Sequence, residues 1–201
     1  MQRTEEPIPP FGFSVADETL HRMLKEVVLG SSPLTLVTST AESHYLLHES
    51  DLSQLPLLLQ RPSLRHLYMA VGCSTTTGRI RSSDRETNCD HFVALHVDIS
   101  RRTMELMDSY PTTAVRNYIM GRAHTLAQSI FGFSDANLMV LQPFCRRQEE
   151  GSSDCAVHTW TNIAVSISEH QYVHAFRGIN VVGDEVTRDV FRCIYETFFS
   201  K

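Results

Sequence analysis

The amino-acid sequence predicts a single α+β domain, and three observations lead to this class. Segments with apolar residues at helical spacing alternate along the chain with short segments rich in β-branched residues. Two of the short segments, 91–99 and 103–109, are separated only by a brief polar turn and so predict an antiparallel hairpin. Of the 201 residues, 42% are hydrophobic and 20% are charged, which provides enough apolar material for one buried core.

The chain begins with a segment whose prolines oppose regular structure. Prolines 7, 9 and 10 predict that residues 1–13 form an irregular arm, which leaves 14–201 as a single domain. Directly afterwards, apolar residues recur at helical spacing through "ADETLHRMLKEVVLG". This repeat predicts a helix that ends at Gly30.

Short segments rich in β-branched and aromatic residues predict five strands. The predicted strands are 34–39, 65–73, 91–99, 103–109 and 137–145. Between the second and the third strand lies a polar stretch, 74–90, which has the composition of a surface loop beside a functional site.

Capping residues mark the other helices. Threonines at its start and Gly132 at its end predict a long helix over 112–132. The remaining predicted helices are one that begins in 50–60 and is limited by Pro56, one over 155–170, and a last one at about 184–199.

Charge and composition exclude several classes of function. The net charge is −5 and no run of lysine or arginine stands out, so nucleic acid and anionic lipid are not expected partners. The apolar stretches are too short to span a bilayer, and the first residues lack the order of a signal peptide. Five widely spaced cysteines predict no disulfide framework and favour an intracellular location, cytoplasmic or nuclear. No metal site and no cofactor are predicted, because compact sets of four Cys/His ligands and Gly-rich phosphate loops are missing.

The predicted hairpin brings a histidine close to an aspartate. His91 opens its first strand and Asp108 nearly closes the second, so folding returns one to the other. Side chains alternate with a period of two, and burial of the apolar residues of both strands on one side places His91 and Asp108 on that same side. A loop of two or four residues allows this pairing, whereas three residues without a bulge would separate them. A carboxylate bonded to one ring nitrogen would leave the other free to act as a base.

Cys155 is the candidate nucleophile. Ser152, Ser153 and Asp154 are capping residues, so Cys155 is expected in the first turn of the helix. There the helix dipole and the unpaired backbone N–H groups favour a thiolate and can hold an oxyanion. The side chain of Gln148, seven positions upstream, is predicted to be a second oxyanion donor.

Together these residues resemble a known family. The segment "HFVALHVDISRRTMELMDS" is similar to the His-aromatic…Asp-Ser segment of the Ulp/SENP-type ubiquitin-like-protein proteases, and "RRQEEGSSDCAVH" is similar to their glutamine and Asp-Cys-Gly block. The resemblance is strong for the clan, which includes the adenovirus-type proteases. It implies a papain-like catalytic centre in the adenovirus/Ulp topology, with a mixed central sheet flanked by helices. By position it implies that Cys155 is the nucleophile, His91 the base, Asp108 the residue that orients it, and Gln148 the oxyanion donor.

The resemblance also implies a substrate. Members cleave after the Gly-Gly tail of ubiquitin, SUMO or NEDD8, or cleave a polyprotein in viruses, so a ubiquitin-like protein is the expected partner. Phe92, Ser153 and Asp154 are expected to bind the substrate. Such an enzyme could act in its own cell or as an effector directed at a host cell.

The sequence departs from the family pattern near the nucleophile. Ala156 stands where the family usually has glycine, and the interval from Gln148 to Cys155 is one residue longer than the common pattern, which keeps Gln142 as an alternative donor. SUMO-specific members roof the Gly-Gly channel with tryptophans. Here Phe92 follows the histidine, and the single tryptophan, Trp160, is expected to pack in the core.

Two other functions remain compatible with the sequence. Acetyltransferases of the YopJ type share the clan and use the same cysteine, although they typically carry glutamate where Asp108 stands. The second alternative is a decayed protease that binds a ubiquitin-like tail without cleaving it. The complete His–Asp–Gln–Cys set argues against this alternative.

Overall fold

The computed structural model describes residues 17–29, 34–48, 59, 62–80, 89–135, 137–141, 145, 147–148, 152–171, 189 and 192–193. The regular elements among them share one sheet and its covering helices. In chain order they are α1 (Asp17–Leu29), β1 (Thr35–Thr38), α2 (Thr40–His48), β2 (His66–Cys73), β3 (His91–Asp98), β4 (Thr103–Met107), α3 (Thr113–Phe131), β5 (Met139–Leu141) and α4 (Cys155–Gln171).

The described strands form one mixed sheet of five strands in the order β1-β2-β3-β4-β5. The central pairs β2–β3 and β3–β4 are antiparallel, and the outer pairs β1–β2 and β4–β5 are parallel. The predicted α+β class with a mixed, helix-flanked sheet is therefore confirmed.

The hairpin of β3 and β4 has the register that places its two polar ends on one face. Asp98 pairs with Thr103, so the loop has four residues, one of the two lengths that permit this arrangement. Continuing the same register by one residue sets Asp108 opposite Val93, which shares a face with His91.

Both faces of the sheet are buried, which goes beyond the one-sided pattern expected from the hairpin. The odd positions of β3, with the even positions of β4, pack under α2 and α3. The even positions of β3, including Phe92 and Ala94, pack under α1 and α4. The described elements therefore form three layers, with the sheet in the middle and α4 on one side of β3.

Helix ends follow the predicted capping chemistry. The Thr112 side chain accepts a hydrogen bond from the backbone N–H of Val115, and Gly132 ends α3 in the left-handed conformation at φ 64°. Short α2 was not predicted, because its apolar residues lack a clear helical period. Ser39 and Glu42 form a capping box at its start: the backbone N–H of Ser39 donates to Glu42 Oε2 over 2.7 Å, and the backbone N–H of Glu42 donates to Ser39 Oγ over 3.1 Å.

Several predicted segments differ from the described structure or fall outside it. Of the strand predicted over 137–145, the structure shows the three residues of β5, and 142–144 lie outside the described residues. The arm at 1–13 lies outside the described residues, as do the segment 50–60, in which a helix was predicted to begin, apart from Leu59, and most of the helix at 184–199. The division into an arm and a single domain over 14–201 stays a prediction.

Candidate active site

His91 and Asp108 form a buried hydrogen-bonded pair at one end of the sheet. His91 Nε2 lies 2.7 Å from Asp108 Oδ1, and both side chains are almost fully buried. The backbone N–H of Tyr110 donates to the same oxygen over 2.9 Å, which fixes the orientation of the carboxylate. The carboxylate in turn fixes the orientation of the imidazole, as the hairpin predicts.

Cys155 is the second side chain that acts on this imidazole. Together with Asp108 it raises the pKa of His91, so the thiol lies close to the ring. Because Nε2 is bound to Asp108, Nδ1 is the ring nitrogen that is left for the thiol.

The surroundings of His91 favour its charged form. Burial lowers the pKa of His91, but the hydrogen bond to Asp108 and the interactions with Cys155 and with the Asp108 carboxylate raise it from 6.5 to about 9. A positively charged imidazole at neutral pH is the form that stabilises a thiolate beside it.

The thiol lies at the start of a helix whose described side chains, over 155–168, are all buried. Cys155 is the first residue of α4, and the Asp154 carbonyl accepts the backbone hydrogen bond of His158 over 3.0 Å. Cys155 is 8% exposed, so it sits at the edge of the core with a small accessible surface. The backbone N–H groups of this first turn lack intrahelical acceptors and can serve a negatively charged atom.

Gln148 is held between the end of β4 and the turn before α4. Its Oε1 accepts a hydrogen bond from the Ser109 hydroxyl over 2.9 Å, and its Nε2 donates to the Ser152 carbonyl over 3.0 Å. The amide therefore lies in the loop that leads to the thiol. Gln142, the alternative donor, lies outside the described residues.

The other predicted substrate contacts differ in their exposure. Ser153 is exposed in the turn before Cys155, whereas Asp154 is 1% exposed. Phe92 is 8% exposed and packs on the α4 face. Ala156 and Trp160 are also buried in that core, as expected for Trp160. The role of Phe92, Ser153 and Asp154 in binding a substrate stays a prediction.

Sequence reasoning did not assign roles to two residues that follow Asp108. Ser109 contacts Gln148, and Tyr110 places its ring edge-on to His91 with the centroids 6.3 Å apart. Tyr110 is 44% exposed, which makes it an aromatic surface beside the histidine. Their position directly after a candidate site residue, at the end of a strand, was the signal that could have found them.

Neither a metal site nor a membrane span is found in the described part of the chain. No group of three or more His, Cys, Asp or Glu side chains there is arranged to hold a metal ion. No helix within the same residues is long and apolar enough to cross a membrane.

Comparison with known proteins gives matches at the level of structure. No family model matches the sequence, and no curated protein matches it. The SUMO protease Ulp1, with its catalytic cysteine oxidised to a sulfenic acid, matches with a TM-score of 0.68 and 12% identity over 94% of this chain and 78% of that chain.

Two further solved structures extend the comparison. The Ulp1 protease domain in complex with Smt3, the yeast orthologue of SUMO, has a TM-score of 0.60 and 13% identity, covering 90% of this chain and 76% of that one. The Chlamydia abortus effector protein ChlaDUB has a TM-score of 0.53 and 14% identity, and the match covers 92% of each chain. At sequence identities of 12–14%, the similarity shows the fold alone. The chain therefore has the fold of the Ulp-type ubiquitin-like-protein proteases.

Proposed function

We propose that the protein is a cysteine peptidase or isopeptidase that cleaves after the C-terminal Gly-Gly of ubiquitin or a ubiquitin-like modifier. The observation that carries this proposal is the setting of His91, which is hydrogen-bonded to Asp108 and whose pKa is raised by both Asp108 and Cys155. A buried carboxylate, an imidazole and a thiol at a helix start are the parts that a thiol protease needs.

Each residue has a distinct part in the proposed reaction. Cys155, as the thiolate, attacks the carbonyl carbon of the last glycine, and the carbonyl oxygen becomes negatively charged. The imidazolium of His91 gives its proton to the leaving amine, which departs and leaves a thioester on Cys155. His91 then takes a proton from a water molecule that attacks the thioester, and the modifier is released with a free carboxylate. Asp108 keeps the ring oriented and stabilises its positive charge throughout.

The negative charge on the carbonyl oxygen needs donors that are already in place. The backbone N–H groups at the start of α4 supply one source. Gln148 supplies the second, because its Nε2 has a further hydrogen beyond the one given to Ser152.

The choice of substrate is supported by the fold. Ulp1 is a SUMO protease and one of its matching structures holds Smt3, and ChlaDUB is a bacterial effector. We propose that the partner of this protein is also a ubiquitin-like protein. We further propose that the protein acts inside a cell, either its own or that of a host.

Replacement of Cys155 by alanine tests the reaction. Cys155→Ala should reduce the hydrolysis of every modifier substrate that the native protein cleaves to the background rate, because the nucleophile is lost. Its circular dichroism spectrum should stay that of the native protein. The substrates are ubiquitin, SUMO and NEDD8, each with a C-terminal aminocoumarin amide, and the measurement is the release of fluorescence. Cys193→Ala removes an exposed thiol that the mechanism does not use and should keep full activity. Hydrolysis by Cys155→Ala at the native rate would disprove the proposal.

The same proteins in electrophilic form separate the alternatives. Ubiquitin, SUMO and NEDD8 with a C-terminal electrophile should form an adduct at Cys155 with at least one modifier, as detected by intact mass. Incubation with labelled acetyl-CoA should leave Cys155 unlabelled, whereas an acetyltransferase would become labelled there. A binding module without activity would hold a modifier and react with none of the probes.

A further inference from the structure

We propose that Ser109 is a positioning residue that holds the Gln148 amide in the orientation required of an oxyanion donor. This inference rests on the proposed peptidase function and extends the site by a residue that makes no contact with the reacting atoms. It begins from the place of Ser109, which directly follows Asp108 beyond the end of β4.

One serine holds both the backbone and the side chain of Gln148. Ser109 is 2% exposed, and its hydroxyl donates to Gln148 Oε1 over 2.9 Å. The Ser109 carbonyl also accepts the backbone N–H of Gln148 over 3.1 Å. Two bonds to one residue restrict both the location of Gln148 and the rotation of its side chain.

The contacts of the amide determine which way it faces. Oε1 is bound to the Ser109 hydroxyl, and Nε2 donates to the Ser152 carbonyl over 3.0 Å. A half-turn of the amide would set Oε1 against the Ser152 carbonyl, and two acceptors repel. Among the described residues, Ser152 O is the one acceptor bound to Nε2, so one of its two N–H groups stays available for an oxyanion. A donor that is oriented before the reaction begins is the kind that lowers the barrier most.

The same strand end also sets the position of the base. Asp108 binds His91, and its carbonyl accepts a hydrogen bond from Cys145 Sγ over 3.0 Å, which fastens the loop that carries Gln148. The base and the donor are therefore placed relative to one another through two adjacent residues, Asp108 and Ser109.

A double-mutant cycle tests the inference. Ser109→Ala should lower kcat about tenfold with KM unchanged, because the donor is misoriented while substrate binding is not affected. Gln148→Ala should lower kcat on the order of 100-fold. In the Gln148→Ala background, Ser109→Ala should cause no further loss, since it acts through the amide that has been removed. The substrate is whichever modifier aminocoumarin amide the native protein hydrolyses.

Two controls separate positioning from a general structural role. Ser109→Thr keeps the hydroxyl and should recover most of the kcat lost in Ser109→Ala, and Ser109→Val has the shape of threonine without the hydroxyl and should not. If Ser109→Ala does not fold, the comparison of Ser109→Thr with Ser109→Val tests the inference in its place. The alkaline limb of the pH profile should stay where it is in the native protein, because His91 and Asp108 are unchanged.

The outcomes that overturn the inference differ from those that overturn the proposed function. An equal loss from Ser109→Ala with and without Gln148, equal rates for the threonine and valine variants, or a shifted alkaline limb would each show that Ser109 does not act through the amide. Native activity of Ser109→Ala, with Cys155→Ala inactive, would remove this inference alone. Native activity of Cys155→Ala would remove the peptidase proposal itself.

Discussion

At the scale of single residues, the proposed chemistry depends on one imidazole, that of His91, which two side chains influence. His91 is buried, and burial without partners would favour its neutral form. Its hydrogen bond to Asp108 and its interaction with Cys155 reverse that preference and raise its pKa to about 9. A histidine with this pKa keeps its proton across the physiological range and loses it only in alkaline solution.

The pH dependence of activity should change when the carboxylate of Asp108 is removed. In the native protein kcat/KM should fall on the alkaline side near pH 9, as the imidazolium of His91 loses its proton. Asp108→Asn removes the charge that raises the pKa of His91 and leaves the burial that lowers it, so the alkaline limb should move to lower pH. The measurement is the pH profile of kcat/KM.

A neighbouring carboxylate provides the matched control for this experiment. Asp90 precedes His91 in the chain, but its carboxylate accepts hydrogen bonds from the backbone N–H and the hydroxyl of Thr75. Asp90→Asn should therefore keep the alkaline limb at its native pH. An alkaline limb that stays in place in Asp108→Asn would mean that His91 is not the group that titrates.

Some of these residue contacts could be predicted from the sequence. The period of two in β3 and β4 places His91 and Asp108 on one face whenever the loop between the strands has an even number of residues. The contact of Ser109 with Gln148 joins residues 39 positions apart through a loop without a repeat. No periodicity constrains such a contact, so only the folded chain shows it.

At the scale of elements, two glycines differ in the space that surrounding atoms leave for a side chain. Gly78 has a φ of +69°, and a Cβ there would lie 2.2 Å from the carbonyl oxygen of Ala114 in α3. The turn after β2 thus lies against the first turn of α3. Gly121, by contrast, lies within α3, and a Cβ there would meet nothing within 4 Å.

Alanine substitutions at these two glycines should have opposite effects. Gly121→Ala should raise the free energy of unfolding by about 1 kcal/mol, because alanine favours the helix interior. Gly78→Ala should lower it by more than about 2 kcal/mol, because the left-handed backbone and the clash with α3 both oppose a side chain. Urea unfolding followed by circular dichroism measures both, and equal effects of one sign would contradict the described geometry.

The elements themselves were predictable where a local signal was strong. Caps at Thr112 and Gly132 bounded α3 to within a residue, because capping depends on neighbours along the chain. Helix α2 was missed because half of its buried face is polar: Thr40 and Ser43 are buried beside Leu46 and Leu47, so the apolar residues alone show no helical period. The capping box of Ser39 and Glu42 was the local signal that could have predicted the start of this helix.

At the scale of the whole molecule, the sheet separates two apolar clusters, and α4 belongs to one of them. Trp160 of α4 is fully buried in that cluster, and its Nε1 donates to the Met23 carbonyl of α1 over 3.3 Å. The helix that carries the candidate nucleophile is thus fastened both to the sheet and to α1. The three-layer arrangement could be predicted as a class, but the burial of both faces required the positions of all four described helices.

Truncation of Trp160 should weaken the whole fold. Trp160→Ala should lower the free energy of unfolding by about 3–5 kcal/mol, because it opens a cavity between α1 and α4. Tyr45→Ala, at a side chain that is 39% exposed, should change it by no more than about 0.5 kcal/mol. Urea unfolding followed by circular dichroism provides both values, and a small effect at Trp160 would show that α1 and α4 do not share a packed core.

The agreement between the order of the strands in the sheet and their order in the chain has a consequence for folding. Each described strand after β1 pairs with the strand that precedes it in the chain, which keeps the sequence separation of the strand pairings low. His91 and Asp108 belong to the middle of this series, whereas Cys155 follows the last described strand. The pairing of His91 with Asp108 therefore depends on the β3–β4 hairpin alone, whereas Cys155 reaches them through a contact between distant parts of the chain, the packing of α4 on β3.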